Sequence, residues 1–163
     1  GTGFEAAGPI APGQIIGPKG QDLAEMWSDK GAEAYLGTSV SGFPNLFFMT
    51  GPNTGLGHNS IILMIEAQVG YILNALDLME KKELTTLDVR EDVQRSYNDA
   101  LQEKIKKTVW STGCDSWYQR DDGKNTTLWP SFTFSYMRRM NQFDPKDYVL
   151  SSPKLARAPL AAE

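Results

Sequence analysis

The stretch from Leu46 to Lys81 constrains the fold more than any other. Leu46-Phe47-Phe48-Met49 is an unbroken apolar run of strand length. It leads into Thr50-Gly51-Pro52-Asn53-Thr54-Gly55-Leu56-Gly57-His58, where glycine, proline and asparagine exclude regular structure. From Asn59 or Ser60 to about Lys81, apolar residues recur at three- and four-residue intervals: Ile61, Ile62, Ile65, Val69, Ile72, Leu73, Leu76 and Met79. A run that does not alternate predicts a strand buried on both faces, as in a parallel sheet. The helix is apolar over most of its circumference, which predicts burial. Strand, glycine-rich loop and long helix in that order predict an α/β chain. A loop of this kind at a helix start presents unpaired N–H groups and a partial positive charge. Its spacing is neither GxGxxG nor GxxxxGK[ST], so pattern alone leaves two readings open: a ligand-holding loop, or a turn whose glycines only satisfy backbone angles.

Elsewhere the signals are weaker. Gly1 to Gly20, with six glycines and three prolines, reads as loop. Asp22 to Gly31 predicts a short helix capped by Asp22 and ended by glycine. Asp88 to about Thr108 predicts a surface helix with one seam (Val89, Val93, Tyr97, Leu101, Ile105, Val109), and Asp88 with Glu91 resembles a capping box. Ser116 to Gln119 and Thr126 to Trp129 flank a turn at Asp121 to Lys124, a hairpin pattern. Phe132 to Phe143 predicts a further helix, and Ser151 to Glu163 a frayed tail. The opening glycine-rich turn, without an initiator methionine, suggests the C-terminal part of a longer protein.

Composition excludes some functions. The 163 residues carry a formal charge of −4 and no basic cluster, a poor basis for neutralising nucleic-acid phosphates. The longest unbroken apolar run, Ile61 to Ile65, is far short of the ~18 residues a membrane span needs, so no membrane segment is expected. The single cysteine, Cys114, excludes an intrachain disulfide framework and suits a reducing cytoplasm. It has no histidine beside it and reads as a packed or idle thiol. His58, the one histidine, reads as structural or solvent-facing. Trp27, Trp110 and Trp129 read as core or interface aromatics. Arg138-Arg139 reads as a solvated pair, and Asp121-Asp122 supplies too few oxygens for calcium. No catalytic residue and no metal site is expected within the chain.

Three segments resemble a known family. Gly42-Phe43-Pro44-Asn45-Leu46-Phe47-Phe48-Met49-Thr50-Gly51-Pro52-Asn53-Thr54-Gly55, with Glu66-Ala67-Gln68-Val69 in the helix, resembles the C-terminal stretch of class B flavoprotein monooxygenases. Gly1-Thr2-Gly3-Phe4 is similar to the family's Ala-Thr-Gly-Phe/Tyr element, with glycine at the first place. Ser116-Trp117-Tyr118, Gly123-Lys124-Asn125 and Leu128-Trp129 are similar to the Ser-Trp…Gly-Lys segment of its Baeyer–Villiger members.

The resemblance implies that residues 1–150 are the C-terminal portion of a Rossmann-like FAD-binding domain, built of buried strand, loop, long helix, second helix and small hairpin. Residues 151–163 would be a flexible tail. It implies FAD and NADPH as cofactors. Gly51, Pro52, Asn53, Thr54 and Gly55 would face the flavin pyrimidine edge, Thr2 and Gly3 would lie at the domain junction, and Trp117 and Lys124 near the nicotinamide cofactor or substrate. The whole enzyme would insert one oxygen atom of O2 into a ketone, giving an ester or lactone through a flavin C4a-peroxide. Its partners would be a small organic substrate and the N-terminal remainder of the enzyme. The family's two GxGxxG motifs are absent from the chain, so this segment alone is not expected to turn over. Two alternatives stand beside it: an N- or S-oxygenating relative, and a non-catalytic interaction module. The discriminating expectation is geometric. The amides of residues 53 to 56 and of the helix start should face a concave apolar surface.

Overall fold

A computed structural model describes residues 10–109, 120 and 122–152. Helix α1 (Leu23–Lys30) begins where Asp22 accepts a hydrogen bond from the Ala24 amide at 2.8 Å, and it ends at Gly31, whose φ is +80°. Helix α2 (Ile61–Lys81) is capped by Ser60, in agreement with the periodicity. Helix α4 (Thr133–Met140) packs against α2.

Several expectations change. The run Leu46–Met49 is not a strand. Phe47 makes one antiparallel bridge to Ser39, Met49 is 54% exposed, and the left-handed residues Asn45 (φ +61°) and Thr50 (φ +55°) break the backbone on either side. Among the described residues no parallel sheet forms, and the parallel pairing present is the single bridge Gly55–Leu128. The sheet present is two-stranded and antiparallel, β1 (Thr86–Val89) with β2 (Tyr148–Ser151), in the register Thr86↔Ser151 to Val89↔Tyr148. So Asp88 is a strand residue accepting from the Gly42 amide at 2.9 Å, and α3 (Glu91–Ile105) starts after Arg90 without a side-chain cap. Ser151, expected in the tail, closes β2. The second arm of the expected hairpin, Thr126–Trp129, forms no strand; the first arm lies outside the described residues.

A further change concerns α2. It is long and apolar enough, with a mean hydropathy of 1.5, to cross a membrane by length and composition, which counting uninterrupted apolar residues missed. Only 28% of that window is buried. Met64, Gln68, Tyr71 and Ala75 face the core, whereas Ile62, Val69, Leu73 and Leu76 are exposed. The expectation of a wholly buried helix holds for one face.

The main core joins Met64, Tyr71 and Ala75 of α2 to Leu87 and Val89 of β1, Tyr136 and Met140 of α4, and Tyr148 of β2. Its polar groups are paired: the Tyr71 and Tyr148 hydroxyls lie 2.9 Å apart, and Ser39 Oγ is 3.1 Å from the Tyr148 hydroxyl. A smaller cluster of Leu23, Ala34, Val40 and Phe43 seats α1.

Candidate functional site

The glycine-rich loop is held from two sides. From α2, Gln68, fully buried, accepts from the Thr50 amide at 2.9 Å, while its Nε2 donates to the Gly37 carbonyl and to Thr38 Oγ1, both at 3.2 Å. From the distal segment, the Thr126 and Thr127 carbonyls accept from the Asn53 and Gly55 amides at 2.8 Å, and the Trp129 amide returns a bond to the Gly55 carbonyl. Asn53, also in the left-handed region (φ +57°), donates through Nδ2 to the Asn125 and Leu128 carbonyls at 2.8 and 3.2 Å. Glycine is required at two places by close approach. A Cβ on Gly51 would sit 2.4 Å from the Gly37 carbonyl oxygen, and one on Gly55 2.8 Å from that of Thr127.

Above this loop lies a cleft of about 530 Å³. Gly51, Pro52, Thr54 and Gly55 line it together with Thr50 and Ile61. Trp27 and Phe48 form one wall, their rings 5.4 Å apart and tilted by 40°. Arg120, Thr126 and Thr127 form the other. The Arg120 guanidinium is engaged at the C-terminal end of α1, where Nη2 donates to the Ser28 carbonyl at 3.1 Å and Nε faces Asp122 at 3.4 Å. The Lys124 amide and then Arg120 hold the Asp122 carboxyl below the usual range.

The supply of donors differs from the expectation. The amides of Asn53 and Gly55 are consumed by the chain itself, as are those of Ile62 and Leu63, which reach Ser60 Oγ and the Ser60 carbonyl at 3.3 Å. The helix start therefore does not present its first turn to the cleft. The amides of Gly51 and Thr54, both lining residues, donate to no acceptor among the described residues. Thr127 Oγ1 is buried without a partner among the described residues. A mostly apolar cleft with few unmatched polar atoms suits a flat aromatic ligand with a polar edge.

Of the sequence candidates, Gly51, Pro52, Thr54 and Gly55 meet in this cleft, and Asn53 lies beneath it as a strut. Lys124 is not among the lining residues. Its Nζ donates to the Lys30 carbonyl at 2.6 Å and pairs with Glu33. Thr2, Gly3 and Trp117 lie outside the described residues. The candidates did not include Arg120, Thr127 or Gln68. Only Gln68 left a readable sign, a lone amide on the inward stripe of an apolar helix.

No family model matches the chain. It is 52% identical over 158 residues to a Baeyer–Villiger monooxygenase of Pseudomonas aeruginosa, covering 96% of this chain and 30% of that protein. It is 42% identical over 162 residues to a Baeyer–Villiger monooxygenase of Streptomyces coelicolor, with the same two coverages, 96% and 30%. Among solved structures it is similar to cyclohexanone monooxygenase from Rhodococcus sp. Phi1 bound to NADP+ (TM-score 0.70, 21% identity, 85% of this chain and 27% of that one). It is also similar to OTEMO in complex with FAD and NADP (TM-score 0.70, 20% identity, 84% and 26%). The fold is thus that of a segment of the flavin monooxygenases. By sequence, the chain is similar to one segment of proteins named Baeyer–Villiger monooxygenases. It spans about 30% of the length of the curated relatives it matches.

Proposed function

We propose that the whole protein is a cytoplasmic FAD- and NADPH-dependent monooxygenase that inserts one oxygen atom of O2 into a ketone, and that this chain supplies the surface for the polar edge of the flavin. The observation that carries this reading is the cleft itself: four of the five loop residues the resemblance singles out line it, and two of its lining residues keep amides without an acceptor among the described residues. The relatives named as Baeyer–Villiger monooxygenases and the structural neighbours holding FAD and NADP support it.

When bound, the flavin and the nicotinamide supply the redox chemistry. The chain's residues bind and orient. The amides of Gly51 and Thr54 would donate to a ring carbonyl oxygen, a contact that strengthens if negative charge develops on that atom. Trp27 and Phe48 exclude water from the apolar wall. Gln68 holds Thr50 and the 37–38 turn, which keeps the two open donors from drifting. Thr2, Gly3, Trp117 and Lys124 have proposed cofactor roles on the resemblance alone.

The visible spectrum of the purified full-length protein tests this reading. Oxidised-flavin absorbance, NADPH oxidation stimulated by cyclic ketones, and an ester or lactone product are expected. A protein that stays colourless after FAD is supplied overturns the proposal, and a product oxidised only at nitrogen or sulfur overturns its substrate class.

A further inference from the structure

The turn from Tyr35 to Ser39 lines no part of the cleft, yet it packs against the loop that does. The Gly37 carbonyl oxygen is the atom a Cβ on Gly51 would strike, and a Cβ on Gly37 would meet Thr54 Cγ2 and stand 2.8 Å from the Pro52 carbonyl oxygen. The Thr38 carbonyl accepts from the Phe48 amide at 2.8 Å, which joins the turn to the aromatic wall as well. Its backbone is unusual. Leu36 (φ +56°) and Gly37 (φ +63°) both lie in the left-handed region, and Leu36 is a bulky, fully buried residue where glycine is the ordinary occupant. Such a conformation persists only where its surroundings enforce it. Here the enforcement is distant in sequence. Tyr136 of α4, itself fully buried, donates its hydroxyl to the Leu36 carbonyl at 2.7 Å across 100 positions. Thr38 Oγ1 donates to the same carbonyl at 3.1 Å. Burial pushes the Tyr136 phenol above its ordinary value, so the hydroxyl keeps its proton and stays a donor.

We propose that Tyr136 is a positioning residue of the cleft: its hydroxyl holds the Leu36–Gly37 turn in the left-handed region, and the turn in turn fixes the direction of the open Gly51 and Thr54 amides. The inference rests on the proposed reading of the cleft as the surface for the flavin edge. Gln68 binds the turn and the Thr50 amide alike, so its loss acts on the loop directly. Tyr136 makes no hydrogen bond to residues 50–55 among the described residues. Its hydroxyl reaches the cleft through the turn and the Thr38 and Gln68 side chains beside it. The Tyr136 ring has a separate contact, edge-on to Trp129 with centroids 5.1 Å apart, and the Trp129 amide bonds the Gly55 carbonyl. Tyr136→Phe keeps that ring and removes the hydroxyl alone, so the two routes come apart. Donors fixed in advance favour the ligand state that carries more negative charge, and donors free to turn lose that preference. The hydroxyl should therefore influence how tightly reduced FAD is held relative to oxidised FAD.

The reduction potential of FAD bound to the full-length protein, measured against a reference dye, tests the inference. In Tyr136→Phe, reduced FAD is expected to bind about tenfold less tightly relative to oxidised FAD, which lowers the midpoint potential by about 30 mV. Thr38→Val removes the other donor to the same carbonyl and is expected to move the ratio the same way by about threefold. It carries the test by the same criterion if Tyr136→Phe does not fold. A ratio within about 1.5-fold of wild type, even with a lower denaturation midpoint, means a role in stability alone and overturns the inference, as does a shift in the opposite direction. Wild-type protein that takes up no FAD overturns the proposed function and this inference with it. A flavin-loaded, ketone-oxidising protein whose ratio does not respond to either substitution overturns the inference alone.

Discussion

The two faces of α2 are nearly equal in apolar content and opposite in fate. Met64, Tyr71 and Ala75 are completely buried, yet Ile62, Leu73 and Leu76, one or two residues away on the same helix, stand half in solvent. The inner face also carries the one polar side chain that organises the site, Gln68. Periodicity therefore records which positions of a helix are apolar, not which of them are buried. The arrangement of the neighbours decides which part is buried within any given segment.

Substitutions on each face can break or sharpen this contrast. The largest effect is expected for Met64→Ala, which opens a cavity at a fully buried position and should cost about 2–5 kcal/mol in full-length protein, read as a lower denaturation midpoint at unchanged slope. Leu73→Ala separates the cases: a loss of similar size means the outer face is covered, whereas a change within about 0.5 kcal/mol means it is bare. Next comes Gln68→Leu. It leaves the Thr50 amide and the Gly37 carbonyl unmatched, and should cost about 1–3 kcal/mol together with weaker retention of FAD on gel filtration. A variant that loses stability but keeps FAD fully bound would detach Gln68 from the cleft.

Gly70→Ala should act in the other direction. Nothing lies within 4 Å of the position its Cβ would take, so helix propensity alone predicts a gain of about 0.5–1 kcal/mol. A loss would show that another backbone approaches the helix closely at that turn. The smallest effect concerns Asp88, whose carboxyl burial pushes upward, opposed by the Gly42 amide it accepts. A raised value means the folded protein holds this proton more readily than the unfolded chain. The stabilisation is complete below the unfolded value, about 4, and is lost as pH rises through the higher folded one. Asp88→Asn should flatten the fall in melting temperature that starts there; an unchanged pH profile would show that the carboxyl does not titrate differently on folding.

Local signals read correctly where local physics rules. The Asp22 cap, Gly31 and the start of α2 at Ser60 each depend on neighbours a few residues away, and each stands where the chain suggested. Non-local pairing defeated the reading. Thr86–Val89 looked like a helix entry because Asp88 and Glu91 mimic a capping box, while its strand partner, Tyr148–Ser151, lies some sixty residues further on against what reads as a tail. Leu46–Met49 has the composition of a central strand but only Ser39 to pair with among the described residues. The cleft was legible in its glycines. Its opposite wall was not, since Arg120 and Thr127 reach it through a return of the chain that no spacing announces.

The bonds from Asn53 and Gly55 to residues 125–128 bear on how such a protein is made. The Asn53–Asn125 contact spans 72 positions. At ribosomal rates of about 5–20 residues per second, the floor of the cleft would wait about 4–14 s for its tether to emerge. During that interval the loop between Thr50 and Leu56 keeps the bond from the Thr50 amide to Gln68 and its own Thr54 hydroxyl to Gly51 carbonyl bond, without the tether from 125–128. Cofactor capture on the ribosome would therefore be a late event, timed by the synthesis of the short stretch that tethers the floor of the cleft.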